Sequence, residues 1–321
     1  MNADLPTLGI GVDIGGTSTK AAVIDALGNV SASISLPTQR GPQGVVATAL
    51  QATLAVVRSA GISASGVDAI GIGIPGTVDP DRGTIRHAVN VGIGHDDLDL
   101  GSLLADQLGV PVHVENDVRA AALGADWYMS KTHGAVNDLG YLSIGTGIAA
   151  GYVERGRLRR GSTLVAGEIG HIPIDPNGPR CACGQIGCIE AMSSGSAIDR
   201  MWPTKNGASA GALYHAASSG DVAAHRLWTS VIGGLSRAVL VLALTWDPEV
   251  IVLSGGVATI GDGLRHAIAE QLAEDGQHSE FLGSLDLGTR MRVIDPSVPL
   301  GPIGALRAAH HATAVPSAPL S

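Results

Sequence analysis

Aromatic residues are scarce in this chain: its 321 residues include one phenylalanine, four tyrosines and four tryptophans. A core cannot be built around large rings at that frequency. It must instead be built from Val, Ile, Leu and Ala, and a hydrophobic content of 45% is sufficient for that. Glycine is abundant, with 45 residues, about twice its usual share. The length and composition predict a globular protein of about two domains with many turns and close backbone contacts.

Basic residues are also in short supply, since 20 Lys and Arg face 29 Asp and Glu and the net charge is −9. A surface that binds nucleic acid needs a basic face, so this balance argues against a DNA or RNA partner. The one dense basic cluster, Arg155–Arg160, is short, and we interpret it as a solvated loop.

A membrane anchor and a disulfide framework are not indicated either. The best apolar run, Ala238–Leu244, is far shorter than the ~20 residues that span a bilayer. The first residues lack the basic and apolar segments of a signal peptide. Three cysteines make no even disulfide set and suit a reducing compartment. We therefore predict a soluble, cytoplasmic protein with no membrane partner.

The few cysteines are concentrated in one loop, downstream of a histidine; the four residues are His171, Cys181, Cys183 and Cys188. Three thiolates and one imidazole are the ligands of a closed, tetrahedral structural zinc site. The alternatives are a disulfide with one thiol left over, or three buried small side chains. Random placement rarely gathers every cysteine in one loop, so the pattern favours zinc. Such a metal would also hold the neighbouring Glu168 and Glu190 in fixed positions.

A glycine-rich turn lies near the start of the chain. The apolar run Leu8–Val12 leads into Asp13–Lys20, and a second apolar run follows at once, which predicts a hairpin. Dinucleotide and P-loop motifs need a helix after their glycines and are excluded. Backbone N–H groups of this turn can bind phosphate, because Gly15 and Gly16 have no Cβ to block it, and Asp13 can hold hydrated Mg²⁺. The alternative is an ordinary Gly-Gly hairpin.

Two later glycine turns extend this pattern. Gly145-Thr146-Gly147 again lies between two apolar runs, which indicates an internal duplication. Gly255 and Gly256 follow the strong strand Val250–Leu253 and precede a helix. Three glycine turns at strand ends predict a nucleotide site, with the phosphates held between the first two turns.

The resulting organisation is two α/β lobes with a cleft between them. We place the first lobe at residues 1–115 and the second, with the zinc loop, at 116–300. A break at Pro299–Pro302 precedes a last helix over 302–312 that returns to the first lobe, and residues 313–321 are predicted to be a disordered tail. At the start of the second lobe, Asn116 and Asp117 stand before a helix and have the residue types that cap helices.

These motifs resemble those of a known family. Asp13-Ile-Gly-Gly-Thr17 looks like the first phosphate motif of the actin/hexokinase superfamily. Glu168-Ile-Gly-His171 with Cys181-x-Cys183-Gly-x-x-Gly-Cys188-x-Glu190 closely resembles the signature of the ROK family, and the resemblance extends from about Leu8 to Arg307. It implies a two-lobed α/β actin-like/hexokinase (ribonuclease H-like) ATPase fold. It also implies an ATP-dependent kinase that transfers the γ-phosphate to the 6-hydroxyl of a hexose.

The resemblance assigns roles to individual residues. Asp117 would be the general base. The residues that hydrogen-bond the sugar hydroxyls would be Asn116, Glu168, His171 and Glu190, and Gly76 and Asn90 would line the other wall. His171 would also bind zinc through its other ring nitrogen. Asp13 would assist Mg²⁺, and the phosphates would lie among Gly15, Gly16, Thr17, Lys20, Gly145, Thr146 and Gly147, with the adenosine near Gly255 and Gly256. The implied cofactors are ATP, Mg²⁺ and structural Zn²⁺, and the implied assembly is a homodimer or homotetramer.

The sugar and the alternatives are less well defined by the residues. The segment Asn90–His95 reads NVGIGH, without the tryptophan that related glucokinases often carry. We interpret this as the loss of a bulky wall near the sugar. Because Gly71–Gly76, Gly167 and Cys183–Glu190 are similar to segments of N-acetylglucosamine kinases, we place N-acetylglucosamine slightly ahead of glucose. A sugar-sensing ROK regulator would need a DNA-binding module, and only twelve residues precede Asp13. A non-catalytic sugar-binding protein would not need the base and both phosphate turns. ATP or polyphosphate as donor stays open.

Overall fold

A computed structural model describes residues 8–63, 66–205 and 208–314. The strands in these residues are β1 Leu8–Ile14, β2 Ser18–Asp25, β3 Val30–Pro37, β4 Ala69–Ile74, β5 Thr77–Asp79, β6 Thr84–Arg86, β7 Leu98–Asp99, β8 Val112–Asn116, β9 Asp138–Ile144, β10 Ile148–Glu154, β11 Arg157–Leu158, β12 Val250–Ser254 and β13 Met291–Val293. The helices are α1 Pro42–Ala60, α2 Leu100–Leu108, α3 Asp117–Thr132, α4 Ile189–Ser193, α5 Gly195–Met201, α6 Ser209–Ser218, α7 Val222–Trp246, α8 Asp262–Gln277, α9 Glu280–Ser284, α10 Leu287–Arg290 and α11 Leu300–Ala314.

Two five-stranded sheets have the same strand order. They run β3-β2-β1-β4-β8 and β11-β10-β9-β12-β13, and a small third sheet is β5-β6-β7. In the first sheet β1 is antiparallel to β2 and parallel to β4, and β4 is parallel to β8. In the second, β12 is parallel to both β9 and β13. The equal orders agree with the internal duplication that the glycine turns indicate.

The contacts divide the chain into two compact units. Unit 1 contains the described residues up to Ala135, Val153–Ala166 and those from Pro299 on, and unit 2 contains Val136–Tyr152 and Gly167–Val298. The boundary therefore differs from the predicted one after residue 115. Helix α3 belongs to unit 1, because it packs against β4, β8 and α11 of that unit.

The C-terminal helix also differs in its bounds from the prediction. It begins at Leu300, so Gly301 and Pro302 lie in its first turn, where a proline costs no hydrogen bond. It packs against β1, β4 and α3. It ends at Ala314, so residues 313 and 314 of the predicted disordered tail are helical, and residues 315–321 lie outside the described residues.

Alternating side chains give the first sheet two different faces. The isoleucines of β1 and β4, such as Ile10 and Ile72, are fully buried in the core with α1 and α2. Two of the glycines between them lie under α11 at backbone contact: a Cβ at Gly11 would lie 1.9 Å from the Pro302 carbonyl oxygen, and one at Gly71 would lie 1.9 Å from that of Ala305. Because strand side chains alternate between faces, the Ile/Gly pattern separates an aliphatic core from a flat surface for a helix.

Replacing Gly304 by Ala tests how closely α11 packs on α3. A Cβ at Gly304 would lie 1.6 Å from the carbonyl oxygen of Ala120, so the helices must move apart. We expect destabilisation of about 3 kcal/mol, at the upper end for overpacking, measured as the free energy of unfolding in urea. Gly233→Ala in α7 is the control, since no atom lies within 4 Å of its Cβ position and alanine favours a helix by about 1 kcal/mol. Equal stabilities of the two variants would contradict the packing described.

The core of unit 2 surrounds α7. This helix is the one among the described residues that is long and apolar enough to cross a membrane by length and composition, although the sequence was interpreted as holding no such run. Of its most apolar window, 61% is buried in the structure. Residues such as Val231, Leu235 and Val239 are fully buried against the second sheet and its other helices, so the apolar surface of α7 serves as core.

Candidate functional site

Polar residues of unit 1 collect where three parallel strands end. Asp13 near the end of β1 pairs with Gly73 of β4, and Gly73 pairs with Glu115 of β8. Carboxyl ends of parallel strands meet at one edge of a sheet, so Asp13 and the Asn116–Asp117 pair share that edge. A Cβ at Gly73 would lie 3.5 Å from the Cα of Asp117, so the glycine leaves room for the start of α3.

The first glycine turn is the predicted hairpin. Ile14 pairs with Thr19 across it, and the Gly15 N–H donates to the Ser18 carbonyl at 2.9 Å. The Thr38 hydroxyl donates to the Gly15 carbonyl at 2.7 Å and anchors the turn from behind. Gly16 and Thr17 at its tip are exposed, and so is Lys20 on β2.

Asn90 lies directly against this turn. It belongs to a short 3₁₀ helix, Val89–Val91, and a Cβ at Gly16 would lie 3.1 Å from the Asn90 carbonyl oxygen. The predicted sugar residue and the predicted phosphate turn are thus adjacent in unit 1.

Asp13 carries an unusual carboxyl group. Burial raises its pKa above the ordinary value, and the charge of Lys20 opposes that rise. A carboxylate that is poorly solvated at the end of a strand gains from a cation beside it. The donor type and burial of Asp13 therefore fit the predicted role beside Mg²⁺, with exposed Lys20 on the neighbouring strand.

Asn116 and Asp117 make different hydrogen bonds at the start of α3. The Asn116 side chain accepts from the Arg119 N–H at 3.1 Å and donates to the Gly76 carbonyl at 3.2 Å. Asn116 is therefore the N-cap, as its residue type indicates, and it links Gly76 to the helix. Asp117 is the first helical residue, and its Oδ1 accepts from the Val118 N–H at 2.9 Å.

In unit 2 the second and third glycine turns are in contact. Gly255 has φ of 94°, and a Cβ there would lie 2.6 Å from the carbonyl oxygen of Ile144, just before Gly145. The Gly195 N–H at the start of α5 donates to the Gly145 carbonyl at 2.8 Å, and the Ser196 N–H donates to that of Thr146 at 3.3 Å. Thr146 is exposed, and Gly256 precedes a 3₁₀ helix.

Glu190 supports the second turn as well as standing in the cysteine motif. Its Oε2 accepts from the Ile148 N–H at 2.8 Å, and a Cβ at Gly147 would lie 2.4 Å from the same oxygen. The absence of a side chain at Gly147 is therefore what lets the carboxylate reach the turn. Sequence reasoning assigned Glu190 to a sugar alone and missed this contact, because nothing local to Glu190 points to residue 148.

The four predicted metal ligands lie together in unit 2. Their ligand atoms are all within 4.8 Å of one another. Cys181 Sγ is 3.7 Å from His171 Nδ1, and Cys183 Sγ is 3.7 Å from Cys188 Sγ. In a tetrahedral zinc site with Zn–S of about 2.3 Å, ligand atoms are about 3.5–3.8 Å apart, so the cluster has the size and donor set that could bind such a metal.

The thiols also differ in acidity. The Gln185 side chain lowers the pKa of Cys183 to about 6. Burial, and after it the neighbouring cysteines, raise the pKa of Cys188 to about 12. Three thiolates repel one another unless a cation neutralises them, which is the chemistry that a divalent metal provides. His171 faces the thiols through Nδ1, so its Nε2 lies on the other edge of the ring.

The missing tryptophan predicts the loss of a wall beside the sugar, but the structure places the side chain of residue 93 in the core of unit 1. Ile93 stands where related glucokinases often carry tryptophan, and it is 2% exposed within the core of unit 1. Val91 is fully buried in the same core. Hydrophobic side chains at these positions pack inward, so a missing tryptophan is not evidence of a wider sugar pocket. The exposed members of the segment are Asn90, Gly92, Gly94 and His95.

Known proteins are similar to this chain over most of its length. The model of the ROK family matches residues 9–282. A glucokinase of Halalkalibacterium halodurans is 35% identical over 280 residues, which are 81% of this chain and 84% of that protein. An N-acetylmannosamine kinase of Yersinia pseudotuberculosis is 30% identical over 267 residues, 82% of this chain and 88% of that protein.

A solved structure gives the same answer for the fold. A ROK family glucokinase from Streptomyces griseus, in complex with glucose and AMPPNP, superimposes with a TM-score of 0.74 and 28% identity, covering 95% of this chain and 99% of that one. The predicted α/β fold of actin-like sugar kinases is thereby confirmed. With a family match over most of its length and these relatives, the chain belongs to the ROK family.

Proposed function

We propose that this protein is an ATP-dependent hexose kinase that phosphorylates the 6-hydroxyl of its sugar. The observation that carries the proposal is the strand edge of unit 1, where a carboxylate at a helix N-terminus, Asp117, shares the edge with Asp13 and its exposed glycine turn. Phosphoryl transfer needs an oriented hydroxyl, a base and a phosphate site, and these residues provide each of them. The complex of the Streptomyces griseus relative with glucose and AMPPNP supports the same pairing of ligands.

In the proposed reaction Asp117 accepts the proton of the 6-hydroxyl as that oxygen bonds to the γ-phosphorus. The bond from the γ-phosphorus to the oxygen that bridges to the β-phosphate breaks, and ADP leaves. Asn116 is held between the helix and Gly76, so it can orient a sugar hydroxyl beside the base. Glu190 has Oε1 for a sugar hydroxyl, since its Oε2 is bonded to the second turn.

The remaining proposed contacts follow the glycine turns and the cysteine loop. Backbone N–H groups of residues 15–17 and 145–147 bind phosphate oxygens, and Gly255 and Gly256 border the adenosine. Glu168 and His171 Nε2 bind sugar hydroxyls. Asp13 would hold hydrated Mg²⁺, which when bound neutralises phosphate charge. The Cys₃His cluster would hold Zn²⁺, which when bound fixes the loop that bears His171.

For the sugar we propose glucose first and an N-acetylated hexosamine second. The order reverses the one drawn from the sequence, because the argument for a wider pocket rested on a tryptophan position that is buried in the core. The glucokinase relative at 35% identity also supports glucose. The N-acetylmannosamine kinase relative keeps an N-acetyl sugar as the second candidate. An N-acetyl group needs a polar partner for its amide, without which burial costs a few kcal/mol.

The test is ADP release on adding each sugar with Mg-ATP. We expect sugar-dependent ADP formation, with kcat/KM for glucose at least tenfold above that for N-acetylglucosamine and N-acetylmannosamine, which corresponds to about 1.4 kcal/mol. A tenfold preference for either N-acetyl sugar would reverse the proposed order. No ADP release with any hexose would overturn the kinase itself and leave a sugar-binding or regulatory protein.

A further inference from the structure

A buried ionic network lies directly behind the proposed base. Glu115 is fully buried at the end of β8, and it contacts two arginines, Arg119 of α3 and Arg160 after β11. Its Oε1 accepts from the Asn116 N–H at 2.9 Å and lies 2.9 Å from Arg119 Nε. Its Oε2 accepts from Arg160 Nε at 2.8 Å and from a terminal nitrogen of Arg160 at 2.7 Å. One carboxylate therefore joins three segments of unit 1.

Arg119 extends the network to two more backbone positions. Its side chain is 3% exposed and donates to the Val78 carbonyl at 3.3 Å and to the Leu164 carbonyl at 3.4 Å. Leu164 has φ of 64°, in the left-handed region that a branched residue rarely adopts. The loop from Arg160 to Ala166 is closed by the Ala166 N–H, which donates to the Arg160 carbonyl at 3.3 Å. A strained loop is thus held at both ends by one pair of arginines.

Such a network is costly to build for stability alone. Burying charges requires desolvation, and aliphatic residues of similar volume often stabilise a protein as well or better. The network instead specifies a geometry: it fixes the Asn116 peptide, the first turn of α3 and the loop that ends two residues before Glu168. The Asn116–Asp117 junction carries the proposed base and one proposed sugar contact, and the loop precedes a second, Glu168, by two residues in the chain.

We infer that Glu115, Arg119 and Arg160 are positioning residues for the proposed phosphoryl transfer, which set the Asn116–Asp117 junction and the 160–166 loop in their productive arrangement. The inference rests on the proposed function. The contacts described above join the network to Asn116, Val78 and Leu164, so we expect its loss to act on the sugar and on the chemical step and not on ATP binding.

Arg160→Lys is the variant to test. Arg160 is one-third exposed, so the folded state should tolerate lysine, which keeps the charge but loses the paired N–H donors. We expect kcat to fall about 10–100-fold and the KM for sugar to rise about 5–10-fold, with the KM for ATP within about twofold, since small misplacements of reacting groups have large effects. Arg159→Lys is the matched control, because Arg159 is 62% exposed and pairs with Glu154.

Four outcomes would count against the inference. Unchanged KM values with a lower active fraction in Arg160→Lys would mean a purely structural role and overturn the inference, as would equal losses in Arg159→Lys. The double variant Glu115→Gln/Arg160→Lys should be little worse than Glu115→Gln, since both act through one contact, whereas additive losses would contradict that. If the unchanged protein releases no ADP with any sugar, the proposed function fails first and the positioning role fails with it.

Amide hydrogen exchange is a measurement of the inference that does not depend on activity. In Arg160→Lys, the 160–166 loop and the Asn116 junction should exchange faster than in the unchanged protein, and the 15–17 turn should not. Unaltered exchange in the loop would show that Arg160 does not hold it and would overturn the inference.

Discussion

Replacing Asp117 by Asn should lower kcat by about 10²–10⁴-fold, the usual contribution of a general base, while the sugar still binds. Asparagine keeps the size of the side chain and an oxygen that can accept the Val118 N–H, as Asp117 Oδ1 does at 2.9 Å. It cannot take the proton of a hydroxyl. The N-cap of α3 is the neighbouring Asn116, so the helix should still begin at the same place. The measurement is steady-state ADP release, together with sugar binding by calorimetry.

The control for this variant is Asp99→Asn. Asp99 is the N-cap of α2 in the same unit and accepts from the Ser102 N–H at 3.1 Å, so it shares the capping chemistry without any proposed catalytic role. We expect its kcat to stay within about twofold of the unchanged protein. A loss of only a few-fold in Asp117→Asn, similar to that of the control, would return Asp117 to a structural role at the helix start.

Loss of the metal is the second large effect that we expect. Cys183→Ser should release the proposed zinc and most of the activity, because a structural zinc contributes about 10–16 kcal/mol of apparent binding free energy in small zinc domains, coupled to folding of its loop. Cys183 is the exposed cysteine of the three, so serine there disturbs packing least. Activity should fall because the loop carries His171 and Glu190, two of the proposed sugar contacts. Metal analysis of the purified variant and its circular dichroism are the measurements.

The chain has no cysteine outside the cluster to serve as a matched control. The unchanged protein, stripped with a chelator and then reloaded with zinc, takes that place. We expect stripping to remove activity and zinc to restore it, while reloading should fail to restore Cys183→Ser. About one zinc per chain in the purified Cys183→Ser variant would contradict the assignment of this ligand. Full activity of the stripped protein would contradict the coupling between the metal and the sugar.

Features that depend on residues close together in the chain could be predicted from the sequence. The first turn is a hairpin because apolar runs flank its glycines at once, and strand pairing confirms it. The metal ligands lie within 18 residues of one another in the sequence, so a single loop brings them together. Asn116 caps α3 because its side chain reaches an N–H three residues on. In each case the interacting groups are neighbours in the chain, and the residue types alone restrict what they can do.

Other features depended on which distant segments meet. The alternation of Ile and Gly in β1 and β4 predicts strands with one flat face, but not that α11, more than 220 residues later, covers that face. The lack of a tryptophan at position 93 indicates a lost sugar wall only until the core of unit 1 is seen to enclose Ile93. Glu115 and Arg160 are 45 residues apart, and each alone resembles an ordinary surface charge. The Arg155–Arg160 cluster was accordingly interpreted as solvated, although Arg160 is bonded to a buried carboxylate.

By itself, the sequence determined the family, the α/β fold and the residue types of the proposed site, because strand periodicity, glycine turns and ligand spacing are properties of short segments. The tertiary structure alone decided that α3 belongs to unit 1, that Glu190 bonds to the second glycine turn and that Glu115 joins two arginines behind Asp117. Apart from the Glu115–Arg119 pair, these contacts join residues distant in the chain. Their free energy depends on burial and on the position of a partner that leaves no pattern near either residue.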